Sequence, residues 1–298
     1  AILYCNAIPV FADIDMETLL IDPADIKRKI TSRTKAIMPI HLYGQVCNMT
    51  EIMAIANENN LGVVEDSAQN YLGTHNGQLG GTFGDVSSWS FENSKHITTG
   101  DGGIVALNNK KLAKKIRKLG SLGFRNASAD SGLIRVSKDL FQNPNYKRHD
   151  SFGYNFRLPE VAAAIGLAQI EKLNLFVQKR EQMARMFLEA LDATNCDWLV
   201  PQKTPKADKN SYYSFAAKIE RNDIKWNDFR KKYIEYGGDG IYAAWALCYL
   251  EDSIEDVKSM VKSWQLDGRL SIEKGICPNA ELLQSQLMQF TTNQKDKT

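Results

Sequence analysis

Missing from this 298-residue sequence are long runs of one charge sign, any C-x-x-C pair, any visible internal repeat and any apolar stretch of the ~18 residues that a membrane span requires. Lys and Arg number 37 against 35 Asp and Glu, a formal charge of +2. Neither nucleic acid nor an anionic membrane surface therefore has electrostatic support as the main partner. With 20 glycines and 8 prolines the chain is not of low-complexity or collagen type, and its 9% aromatic content argues against disorder. The cysteines, Cys5, Cys47, Cys196, Cys248 and Cys277, are odd in number and widely spaced, which fits reduced thiols in a cytoplasmic protein. No basic flank or small-residue cleavage site marks a signal peptide. Asn48-Met49-Thr50 and Asn126-Ala127-Ser128 match the glycosylation tripeptide, a pattern common by chance. The chain opens on Ala1 in mid-pattern, as a fragment would.

What is present is an ordinary globular composition, 43% hydrophobic and 24% charged, at a length suited to one or two domains. Ala7 to Asp15 and Lys35 to His41 read as strands, with Pro23 to Ile30 as a short helix between them. Met49 to Asn60 has helical spacing and Leu61 to Asp66 is a compact strand, so βαβ units and a parallel sheet are expected. Val86 to Phe91 and Gly103 to Leu107 add strands, and Lys110 to Leu119 a basic helix. Asn76 to Gly84 is glycine-rich and turn-like, but it precedes a strand and so is not a dinucleotide loop. Pro159 suits a first helical position, and apolar spacing continues to about Leu191, predicting one long helix that joins two domains. Beyond it, Tyr213 to Ile219 alternates as a half-buried strand, and Trp226, Phe229 and Tyr233 keep helical spacing up to Gly237-Gly238.

Two blocks carry the chemistry: Val63-Val64-Glu65-Asp66-Ser67-Ala68-Gln69, and Ser88-Trp89-Ser90-Phe91-Glu92-Asn93-Ser94-Lys95 with the glycine-rich stretch to Gly103. Alone, an acid at a strand end is ordinarily a helix cap and a lysine a solvated amine. Together they place a carboxylate at the C-terminal edge of a parallel sheet, where α/β proteins hold ligands, beside a lysine able to form a Schiff base. Pyridoxal phosphate (PLP) needs that pair, an amine for its aldehyde and an acid for its ring nitrogen.

With these blocks, Pro9 to Asp15, Lys35 to Gln45, Gly153-Tyr154-Asn155-Phe156-Arg157-Leu158 and Cys277-Pro278-Asn279-Ala280-Glu281 stand in an order that resembles the DegT/DnrJ/StrS group of nucleotide-sugar aminotransferases. The resemblance implies an α/β PLP-dependent transferase of fold type I. Its large, mainly parallel α/β/α domain would be residues 1–175 and its smaller C-terminal α/β domain residues 176–298, including the end of the connecting helix. It implies Lys95 as the Schiff-base lysine and Asp66 as partner of the pyridinium nitrogen. Gln69 would lie beside the ring hydroxyl, Ser90 on the phosphate, and Asn155 would reach the phosphate of the neighbouring subunit in a homodimer with shared sites. Tyr154 and Arg157 are expected to serve packing or an internal salt bridge, and His96 to be a structurally satisfied histidine. No metal ligand is expected.

The implied reaction moves an amino group, by ping-pong kinetics, from an amino acid such as glutamate or glutamine to a keto group of a nucleotide-linked deoxysugar or related cyclic polyol. Relatives that remove a hydroxyl carry histidine where Lys95 stands, so a dehydratase or deoxygenase is the nearer alternative. A non-catalytic binding or assembly module is the more distant one. The group also carries an N-terminal phosphate loop and a ring-stacking aromatic, neither of which occurs before Ala7. From that, truncation at the front and perhaps at the polar end Thr291 to Thr298 is expected, with poor PLP binding and little activity for residues 1–298 alone.

Overall fold

A computed structural model describes residues 1–128, 132–133, 136–254 and 273–293. Parts of the expected C-terminal domain, 255–272 and the polar end 294–298, lie outside the described residues. Helix α1, Pro23–Lys29, starts on proline with Asp22 Oδ1 accepting from the Ala24 amide at 2.8 Å. Strand β1, Ala36–Ile37, leads to α2, Met49–Glu58, and β2, Gly62–Asp66. The α2 cap is reciprocal: Asn48 accepts from the Glu51 amide at 3.3 Å and donates to its carboxylate at 2.8 Å. A hairpin of β3, Thr74–His75, and β4, Gln78–Leu79, precedes β5, Val86–Ser90, β6, Gly103–Ala106, and helix α3, Lys110–Gly120. The sheet order is β1-β2-β5-β6, with the first three parallel and β6 antiparallel to β5. Ile37, Val63, Met49, Ile52 and Ile55 form the core where α2 covers it, and β6 is exposed along its length.

Ala7 to Asp15 is not a strand; it makes one isolated bridge, Ile14 with Ile21. Side chains take its backbone groups instead of a neighbouring strand. The Asp13 amide donates to the Asp25 carboxylate at 2.5 Å, the Phe11 carbonyl accepts from Lys29 Nζ at 2.6 Å, and the Ile14 carbonyl accepts from Asn279 Nδ2 at 2.8 Å.

The next elements are the hairpin β7, Ala127–Ser128, and β8, Gly132–Leu133, then α4, Lys138–Gln142. The long helix expected after Pro159 is two helices, α5, Glu160–Ile170, and α6, Leu173–Ala193, with Pro159 as the N-cap. The break is a tightened turn in which the Lys172 amide bonds the Gln169 carbonyl three residues back. On α6, Val177, Arg180 and Ala184 are buried at helical spacing, whereas α5 leaves Val161, Ile165, Leu167 and Ile170 exposed.

A second, antiparallel sheet follows in the order β11-β12-β10-β9, from β9, Leu199–Pro201, β10, Ser214–Ile219, β11, Ile241–Ala243, and β12, Leu287–Thr291. Helices α7, Trp226–Glu235, and α8, Pro278–Gln284, complete it. Gly237 and Gly238 close α7 by bonds to the Ile234 and Tyr233 carbonyls. Strand β10 is buried on both faces, not one. Phe215, Ala217 and Ile219 pack with Phe290 and Met288, while Ala216 meets Leu19 and Tyr43 of the first layer.

One buried charge ties β2 to its surroundings. Glu65 is fully buried, and its carboxylate accepts from the Gly81, Phe83 and Gly84 amides at 2.7, 2.8 and 2.6 Å and from His41 Nε2 at 2.9 Å. His41 Nδ1 accepts from the Cys47 amide, which fixes Nε2 as the donor. Burial alone would raise the carboxyl's pKa; the His41 contact and the Gly84 and Gly81 amides outweigh it and hold the group below its ordinary value. An amide at this position would turn its NH2 toward donors. Glu65→Gln is therefore expected to cost about 2 to 4 kcal/mol in urea unfolding. Because the folded value is the lower one, the parent's advantage is present above the unfolded carboxylate pKa and lost as pH falls through the folded one. Equal stability of parent and variant at neutral pH would contradict this.

Candidate active site

Asp66 ends β2 beside Ser88 of β5, with the strands parallel and both C-terminal ends at the same edge of the sheet, the edge at which α/β proteins hold ligands. Its Oδ1 accepts from the Ala68 amide at 2.9 Å, leaving Oδ2 as an acceptor. Gln69, one turn on, accepts through Oε1 from the Tyr43 amide at 2.9 Å, which leaves its NH2 to donate. Ser90 ends β5; its Oγ accepts from the Glu92 amide at 3.2 Å, and its carbonyl accepts from the Tyr71 hydroxyl at 2.6 Å. The structure thus brings Asp66, Gln69 and Ser90 to one edge of the sheet.

Lys95 is not at the strand end but in the loop that leaves β5. That loop is closed at its base, where the Phe91 amide bonds Gly102 and the Thr99 amide returns to Phe91. The Lys95 ammonium lies 4.8 Å from the centre of the Tyr213 ring and has no paired carboxylate among the described residues. His96 is buried between Tyr71 and Tyr213 at ring separations of 5.2 and 6.0 Å. Burial, with the Arg180 charge adding to it, pushes its pKa down to about 3, so the ring is neutral and Nε2–H donates to the Ser211 carbonyl at 3.0 Å. Only half of the expected satisfaction is met, since Nδ1 has no hydrogen-bond partner.

Asn155 stands apart from the other four. It is exposed, bridges Ser121 at the end of α3, and accepts from Arg157 Nε at 2.9 Å. Arg157 therefore serves a hydrogen bond to an amide, and Tyr154 stacks on Phe156 at 5.1 Å. The early and late motifs meet at a junction of their own. Asp13 accepts from the Asn279 and Ala280 amides at 2.9 and 3.0 Å at the start of α8, while Lys29 Nζ reaches the Ile276 carbonyl at 2.9 Å.

Tyr71, Arg180, Tyr213 and Glu65 were not singled out from the sequence, because two tyrosines in irregular segments, an arginine within a helix and a glutamate within a strand carry no positional signal until the elements are assembled. A set comprising an amine, a free carboxylate oxygen, an amide NH2 and a hydroxyl fits PLP at its aldehyde, ring nitrogen, ring hydroxyl and phosphate respectively. No group of three or more His, Cys, Asp or Glu side chains among the described residues could hold a metal ion. No helix among them is long and apolar enough to cross a membrane.

Residues 1–242 match the DegT/DnrJ/EryC1/StrS aminotransferase family, and the chain belongs to it. A GDP-perosamine synthase of Escherichia coli O157:H7 is 37% identical over 193 residues, 65% of this chain and 48% of that protein. The chain spans about half the length of the curated relatives it matches. An aminotransferase from Psychrobacter cryohalolentis superposes with a TM-score of 0.80 at 24% identity, over 99% of this chain and 73% of that one. A GDP-4-keto-6-deoxy-D-mannose 3-dehydratase of E. coli, with hydrated PLP bound, superposes at 0.75 and 23% identity, over 96% and 70%. These neighbours have the PLP-dependent fold type I, the α/β class expected from the sequence.

Gly44 lies where the first layer meets the segment that leads into β10. At φ +102° its carbonyl accepts from Asn70 Nδ2 and from the Ser211 amide, and a Cβ there would fall 2.5 Å from the Tyr212 nitrogen and 2.6 Å from that of Tyr213. Gly44→Ala is expected to lower unfolding stability by at least about 2 kcal/mol. Thermal and urea denaturation check it, and an unaffected variant would mean that this junction is not tightly packed.

Proposed function

We propose that, as a member of this family, the protein is part of a PLP-dependent aminotransferase that moves an amino group from glutamate or glutamine to a keto group of a nucleotide-linked deoxysugar or related cyclic polyol. The observation that carries the reading is that β2 ends in Asp66, with one carboxylate oxygen open, and that the parallel neighbour β5 leads into the loop that carries Lys95, an amine in no ion pair among the described residues. PLP when bound supplies an electron sink for the bond broken at the donor's Cα. In this reading Asp66 Oδ2 keeps the ring nitrogen protonated, and the Gln69 NH2 donates to the ring hydroxyl. The Ser90 hydroxyl donates to the phosphate. Lys95 carries the cofactor and, once displaced by the amino donor, its Nζ takes the proton from the donor's Cα.

The presence of lysine at position 95 favours amino transfer over loss of a hydroxyl, the chemistry that the resemblance associates with histidine there. The exposed apolar face of α5 and the exposed position of Asn155 support a homodimer in which Asn155 serves the neighbouring subunit's phosphate.

Reduction of the PLP-loaded full-length protein with borohydride, followed by peptide mapping, is expected to place the pyridoxyl group on Lys95. Labelling of another lysine with Lys95 unmodified would refute the assignment. For the shared site, mixing inactive Lys95→Ala subunits with weakened Asn155→Ala subunits should restore part of the activity, since one site of the heterodimer then has both native residues. No recovery, with exchange verified by mass, would place Asn155 in its own subunit's site.

A further inference from the structure

The loop that carries Lys95 is held from behind by a cation without an anion. Arg180 on α6 is 5% exposed and has no carboxylate partner among the described residues. Its Nη1 donates to the Tyr213 carbonyl at 2.8 Å and to Thr292 Oγ1 at 3.0 Å, and its Nη2 approaches the Lys95 carbonyl at 3.5 Å. Thr292 in turn bonds the Tyr212 carbonyl at 2.5 Å. Burying a guanidinium on neutral acceptors alone is costly, so the arrangement needs a reason beyond packing.

The reason lies in what the three acceptors belong to: the lysine loop, the segment entering β10 and the residue after β12. One planar side chain sets the distance between them. The Tyr213 ring is fixed on its other sides as well, by a 2.8 Å contact between its hydroxyl and Ser94 Oγ and by the His96 ring at 6.0 Å. Lys95 Nζ sits 4.8 Å from the ring centre, and the Arg180 guanidinium carbon lies 5.7 Å from the same centre.

We propose that the face of Tyr213 is the resting seat of the Lys95 amine and that Arg180 is the positioning residue that fixes seat and lysine loop to each other. The proposal rests on Lys95 being the lysine that carries the cofactor. Such an amine alternates between a covalent partner and freedom, and it must return to one place each time. A carboxylate would hold it in an ion pair as a charged group. A ring face gives a weaker attraction and so orients the amine without locking it. A second cation on the same ring further limits how firmly the ammonium is held.

The test is NMR of the cofactor-free full-length protein with its lysines reductively methylated with carbon-13. The Lys95 resonance, identified by its loss in Lys95→Arg, is expected upfield of the other lysines because of the Tyr213 ring current. Tyr213→Leu should return it to them, and Tyr213→Phe, which keeps the ring and loses the Ser94 bond, should leave it shifted. Arg180→Lys keeps the charge but cannot span three acceptors, and should move the resonance toward the others. With PLP loaded, the amino-donor half-reaction should slow roughly tenfold in Tyr213→Leu and stay within about threefold of the parent in Tyr213→Phe, with the donor KM unchanged. An unshifted resonance in the parent, or an equal shift in Tyr213→Leu, overturns the seat. An unchanged resonance in a folded Arg180→Lys overturns the role of Arg180. A shifted Lys95 resonance in a protein whose pyridoxyl label maps elsewhere supports the seat while refuting the functional reading.

Discussion

The Glu65 carboxylate, shut off from water, determines which way β2 faces. Residues alternate across a strand, so a side chain drawn inward at Glu65, like Val63 two residues before it, sends Asp66 to the opposite face. Three amides of the Gly81 to Gly84 turn and the His41 ring can be satisfied only by an acceptor in that place. The turn thereby delivers the chain to β5 in register with β2, and β5 delivers Ser90 and the Lys95 loop to the edge where Asp66 stands. A charge that performs no chemistry thus orients the one assigned to do so.

The second layer packs closely on the first, and glycine makes the approach possible. Asn210 Oδ1 and the Tyr212 and Tyr213 amides occupy the place a Gly44 Cβ would take, and Ser211 bonds the Gly44 carbonyl, the amide of Tyr71 through its hydroxyl at 3.3 Å and the His96 ring through its carbonyl. Tyr71 supports Ser90, so Ser90 and the lysine loop are braced by residues more than a hundred positions away. The Asp13 and Lys29 junction with α8 performs the same service at the far end of the layer.

Local pattern made α1, α2, β2, β5, β6, α3 and α7 legible, because each has a cap, a stop or an apolar period within a dozen residues. Ala7 to Asp15 misled because its apolar residues do face a core, yet side chains of Asp25, Lys29 and Asn279 satisfy its backbone where a strand partner would. The break between α5 and α6 has neither glycine nor proline to announce it, and β10 has a second buried face only because another layer reaches it. Asp66, Gln69, Ser90 and Lys95 were readable as types in order along the chain. Their supports, Glu65, Tyr71, Arg180 and Tyr213, become visible only once elements distant in sequence are packed.

In the proposed function Asp66 and Lys95 serve one ligand, with the carboxylate on the ring nitrogen of a cofactor carried by the amine. Nitrogen-15 NMR of the full-length protein loaded with PLP labelled at the ring nitrogen tests it most directly. A protonated ring nitrogen is expected at neutral pH in the parent and an unprotonated one in a folded Asp66→Asn variant. The same protonated signal in both proteins would contradict it.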